Sequence, residues 1–206
     1  MARRRIVIGA ASIFLIGVIL ANAFSWDTQP RYQGIKLSDW LNSIKGAGAS
    51  HYQTVWPMDA EKAVQNIGTN GLPYLVTWVG YEKPGWKNRV CARYQKWPRG
   101  LVSRPVVNGL SYDKGERLGD NAVIAFKILG RDAGPAVPGL IGILRDRQKP
   151  AASRRAIVCL GCIGPAARPA LPYLREIARG SQPPAALDAL MAIQNIEPRD
   201  IQRAFR

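Results

Sequence analysis

The sequence predicts an all-α protein, an α-solenoid of about four stacked helical hairpins, and three observations carry that prediction. A stretch of 24 residues recurs with its glycines and prolines in step. Hydrophobic residues make up 47% of the 206-residue chain, enough for a real core, while only 8% are aromatic. Ala and Gly are plentiful, which suits closely packed helices better than a β-sandwich, whose strands draw on β-branched and aromatic residues.

The chain opens with Arg3-Arg4-Arg5 and then an uncharged run of 19 residues, Ile6 to Phe24. A basic start, an apolar centre and Ala21-Asn22-Ala23 make the layout of a secretory signal peptide, so residues 1–23 are first read as cleaved after Ala23. The run is also just long enough to cross a bilayer as a helix, and a retained membrane anchor is the second reading. A buried core helix fits less well, because three arginines open the run and it has no polar face. In either export case the basic end stays cytoplasmic and the rest lies outside, periplasmic or anchored in the inner membrane. Cleavage would take the formal charge from +15 to +12, since residues 1–23 hold three arginines and no acid.

Residues 24–58 read as a linker and a capping helix. Leu37 to Lys45 form the helix, with Ser38 as its N-cap and Trp40 and Leu41 on the buried side. Repeats then occupy residues 59–206. Asn121–Leu144 and Arg155–Ala178 align at a constant offset of 34, matching Gly130 with Gly164, Pro135 with Pro169 and Pro138 with Pro172. A third copy lies earlier, at Ala60, Ala63, Val64, Ile67 and Gly68, then Leu72, Pro73 and Leu75. A partial fourth follows at Ala186, Ala189, Leu190 and Ile193. Apolar residues at i, i+3, i+4 and i+7, such as Ala122, Ala125, Phe126 and Leu129, form one helical stripe. Gly130 and Gly164 supply the helix stop, and Pro135 and Pro169 mark the start of the second helix. The predicted pairs are 59–67/72–79, 120–129/135–146 and 153–163/168–179, with a last helix at 185–196. One hairpin cannot bury its stripe alone, but stacked neighbours can.

Residues 80–117 interrupt the array with Pro84, Trp86, Trp97, Pro98 and Pro105. A helix is expected around Trp86–Lys96, then an irregular basic loop over Pro98–Lys114. An individual function is most easily lodged in such an insertion.

The string formed by Leu129-Gly130, Ala133, Pro135-Ala136-Val137-Pro138 and Leu140, repeated around Gly164, resembles HEAT repeats of the short, phycobilisome-lyase-like type. The likeness covers Asp59–Val79 and Gly119–Ile196. Tyr32-Gln33-Gly34 with Leu37-Ser38-Asp39-Trp40-Leu41 is similar to the segment before such repeats in small exported bacterial proteins. The resemblance implies a fold and leaves function open, since HEAT repeats serve as scaffolds in unrelated systems. Some relatives attach or remove bilin chromophores, but those enzymes are expected in the cytoplasm and nothing in this sequence suggests a bilin pocket.

Candidate sites have plain explanations. Cys159 and Cys162 fall inside a helix, aligned with Ala125 and Ile128, and read as buried packing residues rather than a redox pair at a helix start. With Cys91 the cysteines are too few for a disulfide scaffold, and no second Cys or His pair completes a zinc site. His51, the only histidine, lies in a loop with no nucleophile beside it. Asp59 and Glu61 read as helix-start carboxylates. Gly46-Ala47-Gly48 lacks the lysine and the strand of a phosphate loop. Trp78, Trp86 and Trp97 are expected to be buried between helices. No catalytic, cofactor or metal residue is assigned.

Arg145 and Arg179 occupy one repeat position near the ends of second helices. With Arg175 they are the candidate partner-binding residues, against the plainer role of cations at helix C-termini. The function expected is a non-catalytic scaffold in the cell envelope that binds another, acidic protein. The membrane enters as a partner only through an uncleaved N-terminal segment. The rival is a nucleic-acid-binding solenoid, which the basic charge suits and export opposes.

Overall fold

The structure, a computed structural model, describes residues 28–44, 58–87, 89, 93, 113–180 and 184–198. The described residues are overwhelmingly helical. Their only strands are β1 (Arg31–Tyr32) and β2 (Ile35–Lys36), an antiparallel pair in which Tyr32 faces Ile35. Gln33 and Gly34 between them both have positive φ, 51° and 78°, the two-residue turn that matches strand twist.

The hairpin delivers the chain into α1 (Leu37–Ser43). The Leu37 N–H donates to the Pro30 carbonyl at 3.1 Å and the Ser38 N–H to Gln29 Oε1 at 3.4 Å. The preceding segment therefore satisfies the first amides. This corrects the expectation for Ser38: it lies inside the helix and is buried, and the N-cap is Lys36, without a side-chain cap. Leu41 is buried as expected and Trp40 half-buried, its indole N–H donating to the Tyr32 carbonyl.

Three units of helix, 3₁₀ turn and helix follow. The first is α2 (Met58–Ile67), Gly68–Gly71 and α3 (Leu72–Val79). The second is α4 (Lys114–Leu129), Gly130–Ala136 and α5 (Val137–Arg145). The third is α6 (Pro150–Ile163), Gly164–Ala170 and α7 (Leu171–Gly180), after which α8 (Ala185–Ile196) stands as a single helix. Gly68, Gly130 and Gly164, at the end of each first helix, all have positive φ, from 51° to 69°. A positive-φ glycine there, a backbone state that other residues rarely adopt, halts the α-helix and turns the chain.

Two of the second helices, α5 and α7, start later than expected, while α3 starts at Leu72 as expected. Pro135 and Pro169 sit within the 3₁₀ turns, and the prolines in the first turn of the α-helices are Pro73, Pro138 and Pro172. Pro135 and Pro169 are still accommodated because a 3₁₀ turn, like a first α-turn, leaves amides free of i−4 bonds. Two first helices start earlier than expected. α6 opens at Pro150, pre-set for a first turn. α4 opens at Lys114, capped by Asp113, so the insertion ends several residues before 117.

Each first helix packs on the next first helix, α2 on α4, α4 on α6 and α6 on α8. Each second helix packs on the following first helix, α3 on α4, α5 on α6 and α7 on α8. One continuous core results, from Leu37 and Leu41 through Val64, Phe126 and Leu160 to Ile196. The segment Pro150–Gly180 is apolar enough to resemble a membrane span, but more than half of its most apolar stretch is buried within the protein.

The register of α8 differs from expectation. Ala189, Ala192 and Ile196 face the core, while Leu190 is exposed and Ala186 half-buried. A three-residue shift also produces an apolar stripe, so the sequence alone did not distinguish the two. Contact decides it: a Cβ on Gly161 of α6 would lie 3.1 Å from the Ala192 backbone, so these helices meet at small residues.

Candidate binding surface

The three predicted arginines, Arg145, Arg175 and Arg179, are exposed on α5 and α7. Arg145 lies over the Tyr173 ring, 5.0 Å from its centroid, and donates to the Tyr173 hydroxyl. Arg175 pairs with Glu197 at 3.0 Å, just after α8. Arg179 makes no ion pair with a described residue. Two adjoining clefts gather the three. One, of about 560 Å³, is lined among others by Arg145, Arg147, Arg154, Tyr173 and Glu176. The other, wide open, is lined by Pro172, Arg175, Glu176, Arg179 and Gly180.

Most arginines near these clefts bridge successive units. Arg147, after α5, pairs with Glu176 of α7 at 2.9 Å, and Arg154 of α6 with Asp188 of α8 at 3.0 Å. Arg155 of α6 reaches back to Asp120 of α4 at 2.8 Å. It also donates to the carbonyls of Val79 and Tyr81, at 3.5 and 2.7 Å, and so closes the C-terminal end of α3. Sequence reasoning missed Arg155, which is buried at 8% exposure. The available signal was a second arginine directly after Arg154, so that one faces inward.

A second polar cluster holds the root of the insertion. Asp113 caps α4 through the Gly115 and Glu116 amides, and it accepts from Tyr81 Oη at 3.1 Å and Lys87 Nζ at 2.8 Å. Burial alone would raise its carboxyl, but the Lys87, Glu116 and Tyr81 hydrogen bonds and the lysine charge outweigh burial and hold it at about 2. Tyr81 is raised, by burial first and then by its bond to that carboxylate. The Tyr81 ring lies where a Cβ on Gly115 would be, 2.6 Å away. Glu82 accepts from the Ala152 N–H at 3.0 Å, supplying the cap that α6 lacks locally. The two ends of the insertion are thus clasped together and to α6.

Beyond this root, residues 85–87, 89 and 93 are helical, as expected for Trp86–Lys96. Trp86 is not buried as expected but 55% exposed, with Lys87 over its ring. Trp78 is half-buried and packs on the core. Cys159 is buried and Cys162 half-buried, both free. Burial raises both thiols, Cys159 far above its usual value with Cys162 adding to the rise, which opposes thiolate chemistry. Among the described residues no group of three or more His, Cys, Asp or Glu is placed to hold a metal. The N-terminal run, Gly46–Gly48, His51, Cys91, Trp97 and the loop 98–112 lie outside the described residues. Neither a family model, nor a curated protein, nor a solved structure matches the chain.

Proposed function

We propose that the chain is a non-catalytic binding scaffold, a solenoid of HEAT-like repeats that meets an acidic protein partner in the cell envelope. The observation that carries this reading is the pair of adjoining clefts on α5 and α7, where Arg145, Arg175 and Arg179 come together. An acidic segment laid across them would meet Arg179 directly and compete with Tyr173 and Glu197 for the other two. The buried side chains of Asp113, Asn121 and Arg155 are engaged in a cap and in ties between elements, which favours a scaffold over an enzyme. The export reading of residues 1–23 belongs to the same proposal and places the partner outside the cytoplasm. The nucleic-acid alternative draws on the same basic charge, but the acids Glu176, Asp188 and Glu197 interrupt the basic face beside its arginines.

The test is capture from solubilised envelope, at low and at high salt, by wild type and by Arg179→Glu and Arg145→Glu/Arg179→Glu variants shown to be folded. The expected result is one partner held by wild type at low salt, released as the Debye length falls from about 10 to 3 Å, and lost by the variants. A folded double variant that retains the same partner with the same salt profile would remove these clefts from the account.

A further inference from the structure

We propose that Glu176 sets the charge pattern of the partner, fitting the two clefts on α5 and α7 to a protein segment whose acids stand in two groups with an uncharged stretch between them. The proposal rests on the reading of those clefts as the binding surface. Glu176 lines both of them, alone among the acids described there. Its position on α7 explains why. Tyr173, at i−3, belongs to one cleft, Pro172 and Arg179, at i−4 and i+3, to the other, and Gly180, at i+4, to both. Glu176 therefore stands on the ridge that the clefts share. It pairs with Arg147 at 2.9 Å, yet its side chain stays 68% exposed, so its carboxylate meets whatever crosses the ridge.

The cations lie to either side, Arg145, Arg147 and Arg154 in the first cleft and Arg175 and Arg179 in the second. Asp146 lines the first cleft only, and Lys149 and the Gln148 N–H take up its carboxylate within its own turn. A segment laid across both clefts thus meets cations, then an acid, then cations again. A partner carboxylate at the crossing faces Glu176 and has to share Arg147 with it. Glu176 and Arg147 are both solvated, so the penalty is that of an exposed charge pair, about threefold in affinity. Glycine or another uncharged residue at the crossing avoids it. Nucleic acid cannot leave such a gap, because its phosphates recur at every nucleotide.

The test uses the full chain and two fluorescein-labelled peptides of one composition, six glutamates and four glycines. In one the glutamates form a single run between the glycines; in the other they are split evenly about them. Fluorescence anisotropy at low salt should show wild type holding the split peptide about threefold more tightly. Glu176→Gln should abolish that preference through tighter binding of the unbroken run. Arg147→Gln, which leaves the Glu176 carboxylate without its cation, should widen it. The readout is the ratio of the two affinities, so a change of charge that moves both peptides alike does not count. Both side chains are largely exposed and tolerate substitution, and circular dichroism controls for folding. A preference that is absent from wild type, or that survives Glu176→Gln, would overturn the role of Glu176. The clefts would still stand as the binding surface if Arg145→Glu/Arg179→Glu weakened both peptides. Binding of neither peptide by wild type, or binding that the double variant retains, would remove the clefts and this proposal together.

Discussion

Arginine ties one unit to the next at two places in the fold, and the two places differ in almost every physical respect. Arg155, between the first, second and third units, has a side chain only 9% exposed, and two of its acceptors are backbone carbonyls that cannot move away. Arg147, between the second and third units, pairs with Glu176 while the two side chains remain 87% and 68% exposed. Both contacts are 2.8–2.9 Å long. Distance therefore does not separate them; burial and the nature of the acceptors do. A solvated pair exchanges one hydrated state for another and adds about 0–1 kcal/mol, whereas removing a buried donor strands carbonyls that water cannot reach. The comparison separates arginines that build the array from arginines free to meet something else.

The contrast is sharpened first by Arg155→Lys, which keeps the charge and loses the planar fork. An ammonium cannot satisfy Asp120, Val79 and Tyr81 in the same directions, so unfolding stability should drop by about 2 kcal/mol. A loss within experimental error of zero would mean that charge alone holds this junction.

Next comes acid. The Asp113 carboxyl is held at about 2 in the fold, against about 3.9 for a free aspartate. A depressed folded value stabilises above the unfolded one, so the contribution, about 2 kcal/mol, is complete above pH 4 and disappears as pH falls toward 2. Urea unfolding of Asp113→Asn should lack that step between pH 4 and 2 while wild type retains it. The exposed ties at Arg147 and Arg175 should add little to the step.

Smaller effects follow at the repeat signature. Gly164→Ala forces a side chain into φ +69° where no atom lies close enough to clash, so the cost is conformational, about 1–2 kcal/mol. Gly134→Ala, at a half-buried turn position with ordinary φ and room for a methyl in contact with Ala166, should change the melting temperature by far less. The cysteines fall between these two: Cys159→Ala and Cys162→Ala should each cost on the order of 1 kcal/mol through the space left behind, with binding unchanged. Loss of a bound metal or of a redox activity in the double variant would contradict the packing reading.

Much of the helical pattern was legible in the sequence because the repeat is written in residues with backbone consequences. Gly68, Gly130 and Gly164 mark the same positive-φ stop, and α3 and α8 fall at the residues expected. The misread details have local causes. Ser38 has the chemistry of an N-cap, but the helix already starts at Leu37, whose amide and that of Ser38 are taken by Pro30 and Gln29, which no short window reveals. The early start of α4 was hidden because Gly115 and Gly119 weaken helix propensity while serving close contact with Tyr81 and with the Trp78 carbonyl. Arg145 and Arg179 could be placed at one repeat position from spacing alone. That Arg145 would lie on Tyr173 and Arg175 on Glu197 depends on how α5, α7 and α8 meet, a tertiary fact. The same holds for the exposure of Trp86.

The claim that burial, not bond length, separates the two kinds of arginine is tested most directly by Arg155→Met and Arg147→Met, unfolded side by side in urea at pH 7. The account predicts a loss of about 3 kcal/mol for Arg155→Met and at most about 0.5 kcal/mol for Arg147→Met, with unchanged slopes. Equal losses, or a larger loss at Arg147, would contradict it.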